Sequence, residues 1–141
     1  MVLAPCGLDI LSYGGRPEML ARTKDRPQYV QDALRVQVRT TADELRPAAD
    51  VIAERLNRAR GAWTFLIPLK GWSSLDKEGR PLYDQAADAA FVARLKEKLA
   101  DRTRVKEVDL HLYTPEFARV AVDQFVRLFA GTKARVPALA E

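Results

Sequence analysis

At 141 residues, 48% hydrophobic and 30% charged, the chain is one domain's worth of polypeptide that needs no disulfide or metal staple. No apolar run approaches the roughly 18 residues of a bilayer span, and a single cysteine with no signal-peptide pattern points to a reducing cytoplasmic setting. The net charge of +4 does not signal nucleic acid, because Arg55, Arg58 and Arg60 are interleaved with Glu54, and Lys96 and Lys98 flank Glu97, as on solvated helix faces.

Val2, Leu3, Ala4 and Pro5 form a short apolar run read as a buried strand, bounded by the turn signals Cys6 and Gly7. Gly14, Gly15, Pro17 and Pro27 break the polar stretch from Ser12 to Gln31, which reads as a long loop with one helical turn near Pro17 to Arg22. Leu34, Val36 and Val38 then alternate with polar neighbours, the period of a strand with one drier face. Thr41 and Glu44 spell a capping box, and Leu45, Ala49, Ile52 and Leu56 recur at helical spacing behind it. Pro47, lacking an amide proton, should delay or bend this helix.

Gly61 punctuates the helix end, and Trp63 to Ile67 is apolar enough for a central strand buried on both faces. A turn-rich loop from Leu69 to Tyr83 leads to Asp84, which can cap a helix lined by Ala87, Phe91, Leu95 and Leu99. Val105 to Leu112 is the next expected strand. Thr114 and Pro115 open a last helix whose Phe117, Ala121, Phe125 and Leu128 should face the core. Residues 1–133 are thus expected to form one Rossmann-like, three-layer α/β domain with a mostly parallel sheet, followed by a frayed tail at 134–141.

Ligands in such sheets sit beyond the carboxyl ends of the strands, which selects the segments around Cys6 to Tyr13, Arg39 to Thr41, Pro68 to Asp76 and His111 to Thr114. Arg39, Thr40 and Thr41 combine a guanidinium, two hydroxyls and a helix start, so they read either as an anion site or as plain capping. Gly71, Ser73 and Asp76 lie after the most apolar strand and serve turn chemistry or ligand contact equally well; neither GxxxxGK[ST] nor GxGxxG occurs. His111 is the only histidine, so a multi-histidine metal site is excluded, and a metal held by Asp9, Asp76 and His111 is set below a structural role. Cys6 reads as an inert thiol or a nucleophile at a strand end. Gly-x-Ser-x-Gly is absent, so a serine hydrolase elbow is not supported.

The order of these motifs resembles the carboxyl-terminal domain of a family that includes the tomato mosaic virus resistance protein and bacterial proteins described as ATP-binding. The residues that carry the resemblance are Gly7, Leu8 and Asp9, then Val38 to Thr41 with Glu44, Ile52 to Asn57, and Phe65 to Pro68. Gly71, Ser73, Leu75 and Asp76 follow, then Gly79, Pro81, Asp84, Asp88, His111, Pro115 and Phe117. The pattern departs at Leu69, Lys70 and Leu110. The resemblance implies two Rossmann-like domains in a full-length member, this chain corresponding to the later part of the second, with ATP or another nucleotide as ligand. The expected function is accordingly accessory: completing a nucleotide or anionic-metabolite site and an interface with a companion domain or a second copy. An enzyme using Asp9, Ser73, Asp76 and His111 on a phosphorylated or carboxylated metabolite is one competing class, and a protein-interaction module the other.

Overall fold

The computed structural model describes residues 1–14 and 17–133. Two sheets are present. In the first, β1 (Val2–Leu3), β5 (Thr64–Pro68) and β6 (Val105–Val108) run parallel with β5 in the middle, Val2 opposite Thr64 and Phe65 opposite Val105. All five residues of β5 are buried, as expected for a central strand covered on both faces. Its alternating side chains divide between layers. Phe65 and Ile67 join one apolar cluster with Leu45, Ala49 and Ala53 of α2 (Ala42–Arg58) and Phe91 and Leu95 of α3 (Gln85–Lys98). The last helix, α4 (Pro115–Lys133), touches β1 and β5. This is the Rossmann-like α/β arrangement that the alternation of elements predicts.

The second sheet corrects part of the reading. The segment Ser12 to Gln31, expected as a loop with one helical turn near Pro17 to Arg22, does form that turn, as the six-residue helix α1 (Pro17–Arg22), but it also carries most of β2 (Ile10–Gly14) and of β3 (Gln28–Asp32). Both strands pair antiparallel to β4 (Arg35–Arg39), which therefore lies outside the parallel sheet. The reason is exposure: β3 buries none of its residues and β2 none fully, so neither carries the apolar pattern that marks a strand.

Helix boundaries follow the capping chemistry. Thr41 Oγ1 accepts the Glu44 amide at 3.3 Å while Glu44 accepts the Thr41 amide at 2.8 Å, a complete capping box. This holds the first turn despite Pro47, and α2 begins at Ala42 with no delayed start. Pro47 and Asp43 are both exposed, so the Asp43 carbonyl that loses its helical donor can turn to water. Asp84 caps α3 through the Ala87 amide, and Thr114 caps α4 through the Phe117 amide. The stripe expected along α4 is divided. Phe117 is buried, but Phe125 is 55% exposed. The strand expected to reach Leu112 stops at Val108, freeing the chain to turn and bring His111 inward. The tail expected at 134–141 lies outside the described residues.

Candidate functional site

The loops named from the sequence converge on one buried centre. Arg39 leaves the end of β4 only 2% exposed, and its guanidinium meets three carboxylates. Nη1 lies 3.9 Å from Asp9 Oδ2 and 3.8 Å from Asp76 Oδ1, while Nη2 donates to Asp88 and to the Asp84 carbonyl at 2.9 Å. Asp9 and Asp76 are wholly buried. One cation facing three acids leaves an excess of negative charge that burial penalises. The protein answers by holding protons: burial, with the charge of Asp76 behind it and against the pull of Arg39, pushes the Asp88 carboxyl up to about 8. Burial likewise raises Asp9, opposed by the hydrogen bond from Ser73.

The Gly71 to Asp76 loop is folded around this centre. Asp76 Oδ2 accepts the Trp72 amide at 2.9 Å, and Ser73 Oγ accepts the amides of Leu75 and Asp76, each at 3.2 Å. Gly71 has φ +115°, and a Cβ there would stand 1.6 Å from the Asp76 carbonyl oxygen, so only glycine closes the loop. His111 Nδ1 accepts the Tyr113 amide at 3.1 Å, which leaves Nε2 to donate to the Ser73 carbonyl at 3.0 Å. Its ring braces the loop. Among the described residues no group of three or more His, Cys, Asp or Glu is placed to hold a metal ion.

Three surface hollows surround the centre. The first, of about 350 Å³, opens where α2 begins and is lined by Arg26, Arg39, Thr40, Thr41, Arg46 and Asp84, among others. Thr40 is 5% exposed and its hydroxyl has no hydrogen-bond partner among the described residues. Arg26 Nη2 donates to the Arg39 carbonyl and to Glu44 at 2.7 Å, which fixes it beside the helix start. Among the described residues Arg46 pairs with exposed Asp43, three residues away, a contact worth little and readily exchanged. The second hollow, about 240 Å³, is apolar: Leu8, Ile10, Leu11, Leu45 and Ala48 wall it with Gly7, Thr40 and Glu44. The third, about 560 Å³, runs between β5, β6 and α3 past Trp72, Asp88 and Val92.

Asp9, Arg39, Ser73, Asp76 and His111 are thus brought together, with Gly71 as the hinge of their loop. Thr40 and Thr41 stand apart at the α2 cleft, Gly7 borders the apolar hollow, and Cys6 is exposed. Sequence reasoning missed Asp88, Arg26 and Arg46 as site residues. Asp88 carried a readable signal, because a carboxylate between Ala87 and Phe91 falls on the apolar face of α3. Arg26 had none, lying in a loop whose path only the second sheet defines.

Fold and centre together define a Rossmann-like α/β domain stabilised at the strand ends by a buried arginine and three carboxyls. The chain belongs to the family described as the Uncharacterised protein family (UPF0261) C-terminal domain, whose model matches residues 1–129. It is 28% identical over 129 residues to a UPF0261 protein of Brucella suis biovar 1, covering 92% of this chain and 31% of that protein. A UPF0261 protein of Rhizobium meliloti is 34% identical over 117 residues, covering 82% of this chain and 29% of the relative. The ToMV resistance protein Tm-1(GCR237) of Solanum lycopersicum is 30% identical over 130 residues, covering 91% and 17% respectively. The chain therefore spans about a third or less of the length of these relatives. No helix among the described residues is long and apolar enough to cross a membrane.

Proposed function

We propose that the chain is an accessory α/β domain that completes a binding site for a nucleotide or another anionic metabolite at the cleft where α2 begins. The observation that carries this reading is the setting of Thr40, whose buried, unpartnered hydroxyl lies among Arg26, Arg39 and Arg46 at a helix N-terminus. First-turn amides lack helical acceptors and that end of the helix bears partial positive charge, so an oxyanion there gains both hydrogen bonds and a favourable field. Arg46 can leave Asp43 to reach it. Arg39, held by three carboxyls, shapes the cleft from behind and is a positioning residue. ATP is the nucleotide that the family resemblance implies.

The same reading assigns the exposed Val122, Phe125 and Val126 of α4 to contact with a second copy or a companion domain. A single, exposed cysteine suits the cytoplasmic setting expected from the sequence. Thermal-shift titrations with ATP, inorganic phosphate and small dicarboxylates test the site. The wild type should be stabilised by at least one of them, and Thr40→Val and Arg46→Ala should lose most of that shift. Equal shifts in all three proteins would refute the placement, and no shift in the wild type would refute the reading.

One observation favours the enzyme alternative. Asp88 lines the 560 Å³ groove and keeps its proton up to about pH 8, a state suited to a general acid on a phosphorylated or carboxylated metabolite. Asp9 and Asp76 have no surface from which to meet a substrate, which is why binding is preferred. A metabolite screen with product detection separates the two.

A further inference from the structure

Thr40 walls two hollows at once, the cationic cleft at the start of α2 and the apolar one formed by Leu8, Ile10, Leu11, Leu45 and Ala48. It is 5% exposed and its hydroxyl is unpartnered. A buried hydroxyl without a partner is costly, so its place between a polar and an apolar space needs a reason. We propose that the two hollows are halves of one site, and that its ligand is a small molecule carrying an oxyanion on a compact apolar body. The inference rests on the anion-binding reading of the α2 cleft and names the class of molecule it takes.

Each half has the character its part of the ligand requires. On the cleft side stand Arg46 and the helix start, which favour an oxyanion, while Arg26 is paired with Glu44. The other side offers five apolar side chains and no cation, which favours an aliphatic or aromatic body and disfavours a second charged group. Glu44, the one acid at this wall, is held by the Thr41 amide at 2.8 Å and by Arg26 at 2.7 Å, so its charge is already compensated. Gly7, with φ +73°, turns the chain that places Leu8 against this space. Thr40 is suited to the junction because its β-carbon carries one hydroxyl and one methyl, a donor for the head and a contact for the body.

Calorimetric titration of the chain with inorganic phosphate and with phenyl phosphate tests the proposal. Phenyl phosphate should bind at least tenfold more tightly than phosphate. Ala48→Phe, which fills the apolar half, should abolish that preference while leaving phosphate affinity within about twofold. Leu8→Ser, in a loop outside both sheets, gives a second reading should Ala48→Phe fail to fold, and should narrow the preference severalfold. Phosphate binding with no preference for phenyl phosphate, or a preference that survives both substitutions, would overturn the bipartite site and leave the anion cleft standing. Absence of binding by either probe would overturn both.

Discussion

Replacing Asp88 by asparagine should flatten the pH dependence of folding stability across the neutral range. In the folded protein the Asp88 carboxyl keeps its proton to about 8, against an ordinary value of 3.8. A proton held by the folded chain and not by the unfolded one lowers the unfolding free energy by about 1.4 kcal/mol for each pH unit within that window. This contribution is complete below the unfolded value and is lost as pH rises through the folded one. Taken over the whole shift it has a ceiling of about 5 to 6 kcal/mol; relaxation and water entry on ionisation should reduce it to roughly 2 to 4 kcal/mol. Asparagine can keep an acceptor toward Arg39 and a donor toward Asp76 but cannot ionise. Urea unfolding from about pH 5 to pH 8 should show the wild type losing stability along a steeper slope than Asp88→Asn, with up to one proton's difference between them. The variant's slope need not vanish, because Asp9 is raised as well and titrates in the same sense. Parallel stability curves would show that Asp88 does not hold its proton in the folded state.

Further outcomes follow from the same geometry. Arg39→Met removes the cation that faces Asp9, Asp76 and Asp88 and should cost about 3–5 kcal/mol in urea unfolding, whereas Arg46→Ala should stay within about 0.5 kcal/mol. Equal effects would contradict the buried-centre assignment. Gly71→Ala drives a Cβ to 1.6 Å from the Asp76 carbonyl and should abolish cooperative thermal unfolding; a wild-type transition would mean the loop is held otherwise. Thr41→Ala should cost about 1 kcal/mol through the lost cap, with or without an anion present, and a larger loss only in phosphate would assign its hydroxyl to the ligand as well.

Much of the layered core is legible in the residues. Trp63 to Ile67 is apolar at every position but Thr64, the pattern of a doubly covered strand, and the Thr41, Asp84 and Thr114 caps mark three helix starts because capping is local chemistry. In the second sheet β4 is legible from the alternation of Val36 and Val38, but its neighbours β2 and β3 are not, for the opposite reason. These two strands are short, largely exposed and separated by glycine and proline, and they cohere through pairing with Arg35–Arg39 that no local pattern announces. The centre is intermediate. Arg39, Ser73, Asp76 and His111 are findable because each sits at a strand end or in the loop that follows one, and Asp9 because it lies in the loop between β1 and β2. What the residues do there depends on long-range contacts: Arg39, legible as a solvent-facing anion ligand, is instead enclosed by carboxyls that arrive from three other segments. The role of Phe125 is misread because helical spacing identifies an apolar face without saying what covers it.

The most direct test of the anion cleft is amide chemical-shift mapping of the chain titrated with inorganic phosphate. Saturable shifts should concentrate on Arg26, Thr40 to Glu44 and Arg46, and should be lost in Thr40→Val. Shifts absent from the start of α2, or scattered over exposed lysines and growing linearly with concentration, would contradict it.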